Sequence, residues 1–126
     1  MNPVEIEEAI SDLAIQSFDE VEFPYAFLEA FGNKTTTIKR LRSGASNKSD
    51  LGGVLQPNNI HIAIAERDKV TEQLAALKAS PATSKAKAKF ILATDGHHFE
   101  AEDLESSETV ACSYETSQII SAFFCR

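Results

Sequence analysis

Two adjacent histidines, His97 and His98, sit among acidic residues in KFILATDGHHFEAEDL, residues 89–104. Imidazole and carboxylate groups are common metal ligands, so metal chemistry is the first reading to weigh. The spacing argues against it. Neighbouring residues on a strand point to opposite faces, so two consecutive histidines rarely ligate one ion. Asp95-Gly96 immediately before them is a strong turn signal, which puts the pair on a hairpin tip. No metal site is expected there. Cys112 and Cys125 lack metal-site spacing as well, and free thiols in a reducing cytoplasm are the expectation.

Phosphate binding is the second chemistry the residues permit. The chain carries a formal net charge of −7, which on average disfavours nucleic acid. The average hides a partition. Residues 1–33 hold eight acidic side chains and no basic one, whereas KTTTIKRLRSGASNK (34–48) holds five basic side chains and no acidic one. A second acid-free stretch, KASPATSKAKAK (78–89), holds four lysines. Local potential, more than net charge, governs contact with a polyanion. Solvated basic faces remain the plain alternative. Other chemistry is absent from the motifs: there is no nucleophile elbow, no Gly-rich phosphate loop and no cysteine paired with a suitable histidine.

These residues must be positioned by one domain, since 126 residues suffice for a single core. No apolar run reaches membrane-span length, and MNPVEIEEAI has neither the positive charge nor the apolar region of an export signal. Asn2, Pro3 and Glu5 are start signals for a helix whose stripe is Ile6, Ala9, Ile10 and Leu13. A short helix is expected between Pro24 and Gly32, with Phe23, Phe27, Leu28 and Phe31 packed on one side. A third follows, capped by a threonine of 35–37 and ended before Gly44, with Ile38 and Leu41 inward and Lys39, Arg40 and Arg42 outward. Residues 43–59 read as loop.

The period then changes. Ile60, Ile62 and Ile64 alternate with His61, Ala63 and Ala65, which is a strand with one strongly apolar face. His61, on the weaker face, is expected at the surface or hydrogen-bonded. Residues 68–79 return to helical spacing until Ser80-Pro81 stops them, and 80–88 read as a linker. Phe90-Ile91-Leu92 is a buried strand, Phe99 onward returns antiparallel, and a further strand runs from about Thr109 to Tyr114. The result is an α/β (α+β) fold: N-terminal helices followed by a small mixed sheet with a crossover helix.

LRSGASNKSDLGGVLQ, then NNIHIAIA, then KAKFILATDGHHFEAEDL, together resemble the N-terminal region of MmeI-type (type IIL) restriction–modification DNA methyltransferases. Phe90, Ile91, Leu92, Thr94, Asp95, Phe99, Asp103 and Leu104 fit the family's strand–turn–return pattern. The resemblance covers Asn2 to about Tyr114. It implies a fold related to PD-(D/E)xK nucleases and a parent protein with a helical spacer and an S-adenosylmethionine-dependent adenine methyltransferase. The methyltransferase motifs themselves are absent, so this chain is not expected to methylate, and it carries no cofactor of its own.

A PD-(D/E)xK nuclease needs an Asp, then a strand ending in Glu-x-Lys, so that two carboxylates hold Mg²⁺ and the lysine supports the attacking water. Asp50 and Glu66 are the available pair, but in Glu66-Arg67-Asp68-Lys69 the lysine comes one residue late. On an extended strand that step turns Lys69 to the opposite face. Loss of nuclease activity is therefore expected, with a Mg²⁺-dependent endonuclease using Asp50, Glu66 and Lys69 as the alternative.

After Tyr114 the resemblance lapses, which sets a domain at 1–114 and a divergent tail at 115–126. Permitted codons for Thr116 to Arg126 can be chosen so that their third-base frame spells FPNHFSLFLP, which restores the family pattern. The expectation is a reading frame that slips near Glu115 and leaves a truncated fragment; a divergent terminal strand over Gln118 to Phe124 is the alternative. The expected role is a cytoplasmic, non-catalytic domain whose partners are DNA and the downstream methyltransferase and spacer domains. Lys39, Arg40, Arg42 and Lys48 are the first candidates for phosphate contact, followed by Lys85, Lys87 and Lys89. A protein-docking module that uses the acidic face of the first helix is the third reading.

Overall fold

Side-chain alternation on one strand decides the architecture. The computed structural model describes residues 3–15, 19, 22–30, 32, 34–44, 47, 49–50 and 53–113. Asn2, Phe18, Phe31, Lys48 and the tail from Tyr114 to Arg126, including Cys125, lie outside them, as do the side chains of Ile6 and Leu13. Three helices come first: α1 (Pro3–Ile15), α2 (Phe23–Ala30) and α3 (Thr35–Arg42). Strands β1 (Val54–Gln56) and β2 (Ile60–Ile64) form a hairpin, and helices α4 (Val70–Ala79) and α5 (Pro81–Lys85) follow. Strands β3 (Phe90–Thr94), β4 (His98–Asp103) and β5 (Glu108–Ser113) complete the chain's described part.

The five strands lie in the order β1-β2-β3-β4-β5. β2 and β3 are parallel, with Ile60 beside Phe90 and Ile64 beside Thr94, and the other pairings are antiparallel. A parallel neighbour cannot be reached by a tight turn, so the chain crosses over through α4 and α5. On one face Ile60, Ile62, Leu92, Phe99 and Ala101 meet Ile10, Phe23, Phe27, Leu28, Ile38 and Leu41 from α1–α3. Phe23 bridges the layers, with ring centroids 5.8 Å from Phe27 and 5.4 Å from Phe99. Each of the isoleucine, leucine and phenylalanine side chains contributes about 1.5–3 kcal/mol through burial. On the other face Ala63, Ala65, Ile91 and Ala93 receive Val70 and Leu77 of α4. The small side chains of the weaker face let that helix sit close. Lys78 on α4 also reaches the buried Glu102 on β4, at 2.9 Å.

The α/β order read from the sequence holds, with three corrections. Val54 and Leu55, read within a loop, belong to β1, whose extended backbone is imposed by pairing with β2 through Val54–Ile62, Leu55–His61 and Gln56–Ile60. Residues 80–88, read as a linker, contain α5, which Pro81 opens with its preset φ. The residue capping α3 is Lys34, with no side-chain cap bond, so the threonines occupy the first turn instead.

Candidate functional site

The DGHH turn owes its shape to one carboxylate. Asp95 Oδ1 accepts the backbone N–H groups of His97 and His98 at 2.8 and 2.9 Å, and Gly96 supplies the positive φ of +89°. Its other oxygen accepts the N–H of Asp68 at 2.9 Å, joining the β3–β4 turn to the β2–α4 loop. Partial burial alone would raise this carboxyl, but the three N–H donors and the nearby His98 outweigh it and hold it below the usual value. The bond also pins Asp68 in a left-handed conformation, φ +65°. Among the described residues, no group of three or more His, Cys, Asp or Glu is arranged to hold a metal ion.

Asp50, Glu66 and Lys69 occupy separate environments. Asp50 Oδ1 accepts the Ser80 hydroxyl at 2.6 Å, at the α4–α5 junction, and its charge acts on His61 near the start of β2. Glu66 is exposed beyond the other end of β2, in a turn closed by the Lys69 N–H on its carbonyl at 2.9 Å. From His61 to Glu66 the extended chain advances about 16 Å, at roughly 3.3 Å per residue. Lys69 precedes α4 and pairs with Glu72 at 3.5 Å, both side chains largely in solvent. A magnesium ion needs carboxylates that converge, and this set does not fit one.

Gly53 lies directly against the Ile62–Ala63 peptide of β2: a Cβ there would stand 2.1 Å from the Ile62 carbonyl oxygen and 3.1 Å from Ala63 Cα.

The sequence reading underrated His61. It is completely buried, with Nδ1 2.8 Å from Thr83 Oγ1 and Nε2 2.7 Å from Ser49 Oγ. The bonding fixes the tautomer. Thr83 donates its own proton to the Leu77 carbonyl at 2.8 Å, so it accepts from Nδ1–H, and Nε2 accepts from Ser49. Ser49 Oγ in turn accepts the Gly53 N–H at 3.1 Å. Burial lowers the His61 pKa, opposed in part by Asp50. Asn47 completes the network: its Oδ1 accepts the N–H groups of Ser49 and Leu55, and its amide donates to the Gly53 carbonyl. The polar residues of 47–53, read only as loop chemistry, therefore clamp this segment onto the sheet.

The basic candidates divide into two groups. On α3, Lys39 and Arg40 are exposed, while Arg42 pairs with Glu22 and its guanidinium lies 4.4 Å above the Tyr25 ring. Lys85 and Lys87 line a concavity with Pro57, Asn58, Ala82 and Ala86, and Lys89 is exposed just before β3. Lys48 lies outside the described residues. No helix among the described residues is long and apolar enough to cross a membrane.

No curated protein and no solved structure matches the chain. The family described as "MmeI, N-terminal domain" matches residues 1–123, nearly the whole sequence. With the hairpin, the crossover helix and the antiparallel return in place, the chain belongs to the MmeI N-terminal domain family, in the context of restriction–modification enzymes.

Proposed function

We propose that this domain is a non-hydrolytic module of a restriction–modification DNA adenine methyltransferase, contributing contacts to the DNA backbone and positioning the neighbouring methyltransferase and spacer domains. The observation that carries the reading is the dispersal of the carboxylates: Asp50 accepts from Ser80 at the α4–α5 junction, Glu66 is exposed beyond the far end of β2, and the Lys69 ammonium pairs with Glu72. The exposed cations of α3 and of residues 85–89 support the DNA contact.

Two measurements on the 126-residue chain test this. Incubated with supercoiled plasmid and Mg²⁺, the protein is expected to leave it intact. Nicking that disappears in Glu66→Ala would establish the endonuclease alternative. With a fluorescent duplex, binding is expected to be weak, independent of sequence and salt-sensitive. Four phosphate contacts give a log–log slope of roughly −3 to −4. Absence of salt-dependent binding at low ionic strength removes the DNA contact.

One observation favours protein docking as a second reading. On α1, Val4 is 63% exposed and borders a shallow concavity lined by Glu7, Glu8, Ser11 and Asp12. Crosslinks from this face to the downstream methyltransferase, with no affinity for duplex, would favour docking over DNA contact.

A further inference from the structure

We infer that the DNA backbone is seated in the cleft between the β1–β2 turn and the α5–β3 connection, where Lys85, Lys87 and Lys89 each neutralise one phosphate. The inference rests on the DNA-contact reading above and chooses between its two basic surfaces. The cleft is an open concavity of about 650 Å³ with Lys85 and Lys87 in its lining. Its described lining comes from Pro57 and Asn58 and from Ala82, Lys85, Ala86 and Lys87, none of them acidic. Exposed charges beyond about 10 Å are largely screened at ordinary salt, so the lining around Lys85 and Lys87 counts for more than the chain's overall −7, while Lys89 has Asp103 and Glu105 of the neighbouring strand end beside it.

The walls are also held in register before any ligand arrives. Asn58 donates to the Ala86 carbonyl at 2.8 Å, and the Asn59 carbonyl accepts from Lys89 and Phe90 at 2.8 and 3.1 Å. Lys87 and Ala88 donate back to Ser84 and Thr83, each at 3.1 Å. The stems of the three lysines therefore start from a cross-linked backbone, which reduces the ordering cost of contact.

Competition for the cations leaves, among the described residues, Lys39 and Arg40 without an ion pair on α3 and three lysines without one here. Arg42 on α3 is held by Glu22 and by Tyr25, and Lys78, the fourth lysine of the second basic segment, is held by Glu102. Among the described residues, Lys85, Lys87 and Lys89 take part in no ion pair. A phosphate reaching them displaces water and counterions alone. Three lysines within five residues suit a polyanion with closely repeated charge, and duplex DNA carries one per about 1.7 Å of axis.

The test compares the 126-residue chain with Lys85→Gln/Lys87→Gln/Lys89→Gln and with Lys39→Gln/Arg40→Gln, each binding a fluorescent duplex over a salt series. The cleft variant is expected to bind at least about tenfold more weakly at low salt. Its log–log slope should become shallower by about 2.7, from three lost contacts at roughly 0.9 each. The α3 variant should change its slope by less than about 1. In the unsubstituted chain, titration with unlabelled duplex should shift the amide resonances of Asn58, Ala86 and Lys87, a readout that needs no variant to fold. If the chain binds duplex but only the α3 variant loses affinity, the cleft assignment falls while DNA contact stands. If the unsubstituted chain shows no salt-dependent binding, both fall. Displacement of duplex by polyglutamate at equal charge concentration would replace DNA with an acidic peptide as the partner.

Discussion

Replacing His61 with leucine probes whether the buried imidazole is a neutral strut. Both ring nitrogens are hydrogen-bonded, to Thr83 and Ser49, and the side chain has no exposed surface. Leucine fills a similar volume, so the main loss is two hydrogen bonds at about 1 kcal/mol each, or about 2 kcal/mol near neutral pH. The pH dependence is the sharper readout. Burial depresses the folded-state pKa of His61, so the native chain takes up this proton less readily than the unfolded one. Its contribution is complete above the unfolded value of about 6.5. It is lost as the pH falls through that value toward the folded one. Urea unfolding followed by circular dichroism, repeated from neutral to mildly acid pH, is the assay. The parent protein should weaken over this range while His61→Leu weakens less, so the gap between them narrows. If the two stability curves fall in parallel, or the variant matches the parent near neutral pH, the neutral-strut assignment is wrong.

Gly53→Ala should be among the most damaging small substitutions, because the new methyl group would meet backbone, which cannot rotate away. A loss of about 3 kcal/mol is expected, and a urea midpoint close to that of the parent would show that β1 is less tightly apposed than described. Asp95→Ala removes the acceptor of three backbone N–H groups. It should cost about 2 kcal/mol and speed hydrogen exchange at Asp68, His97 and His98. Unchanged exchange at those three amides would mean the turn is shaped by Gly96 alone.

Much of this fold is legible in local pattern. The isoleucines at 60, 62 and 64 announce the strongly apolar face of β2, and His61, Ala63 and Ala65 announce a face that tolerates a closely packed helix. Asp95-Gly96 announces the hairpin. What escapes are features created by a distant partner. Three residues of β1 are too few to show a period, and their conformation comes from β2. Arg42 reads as a free cation until Glu22, twenty positions earlier, is brought beside it. Asp50 and Glu66 read as a pair because sequence spacing does not reveal that Asp50 is bonded to Ser80, 30 positions on. His61 reads as either surface or hydrogen-bonded, and the sequence does not choose because Thr83, which fixes its proton, lies 22 residues away.

The sheet's strand order repeats the chain order without a skip. Each strand finds its neighbour already made, and the widest gap to close is the one spanned by α4 and α5. Loop-closure entropy is therefore modest at every step. During synthesis the layers are expected to assemble vectorially behind the ribosome, each new strand docking on a finished edge and β5 adding last among the described strands.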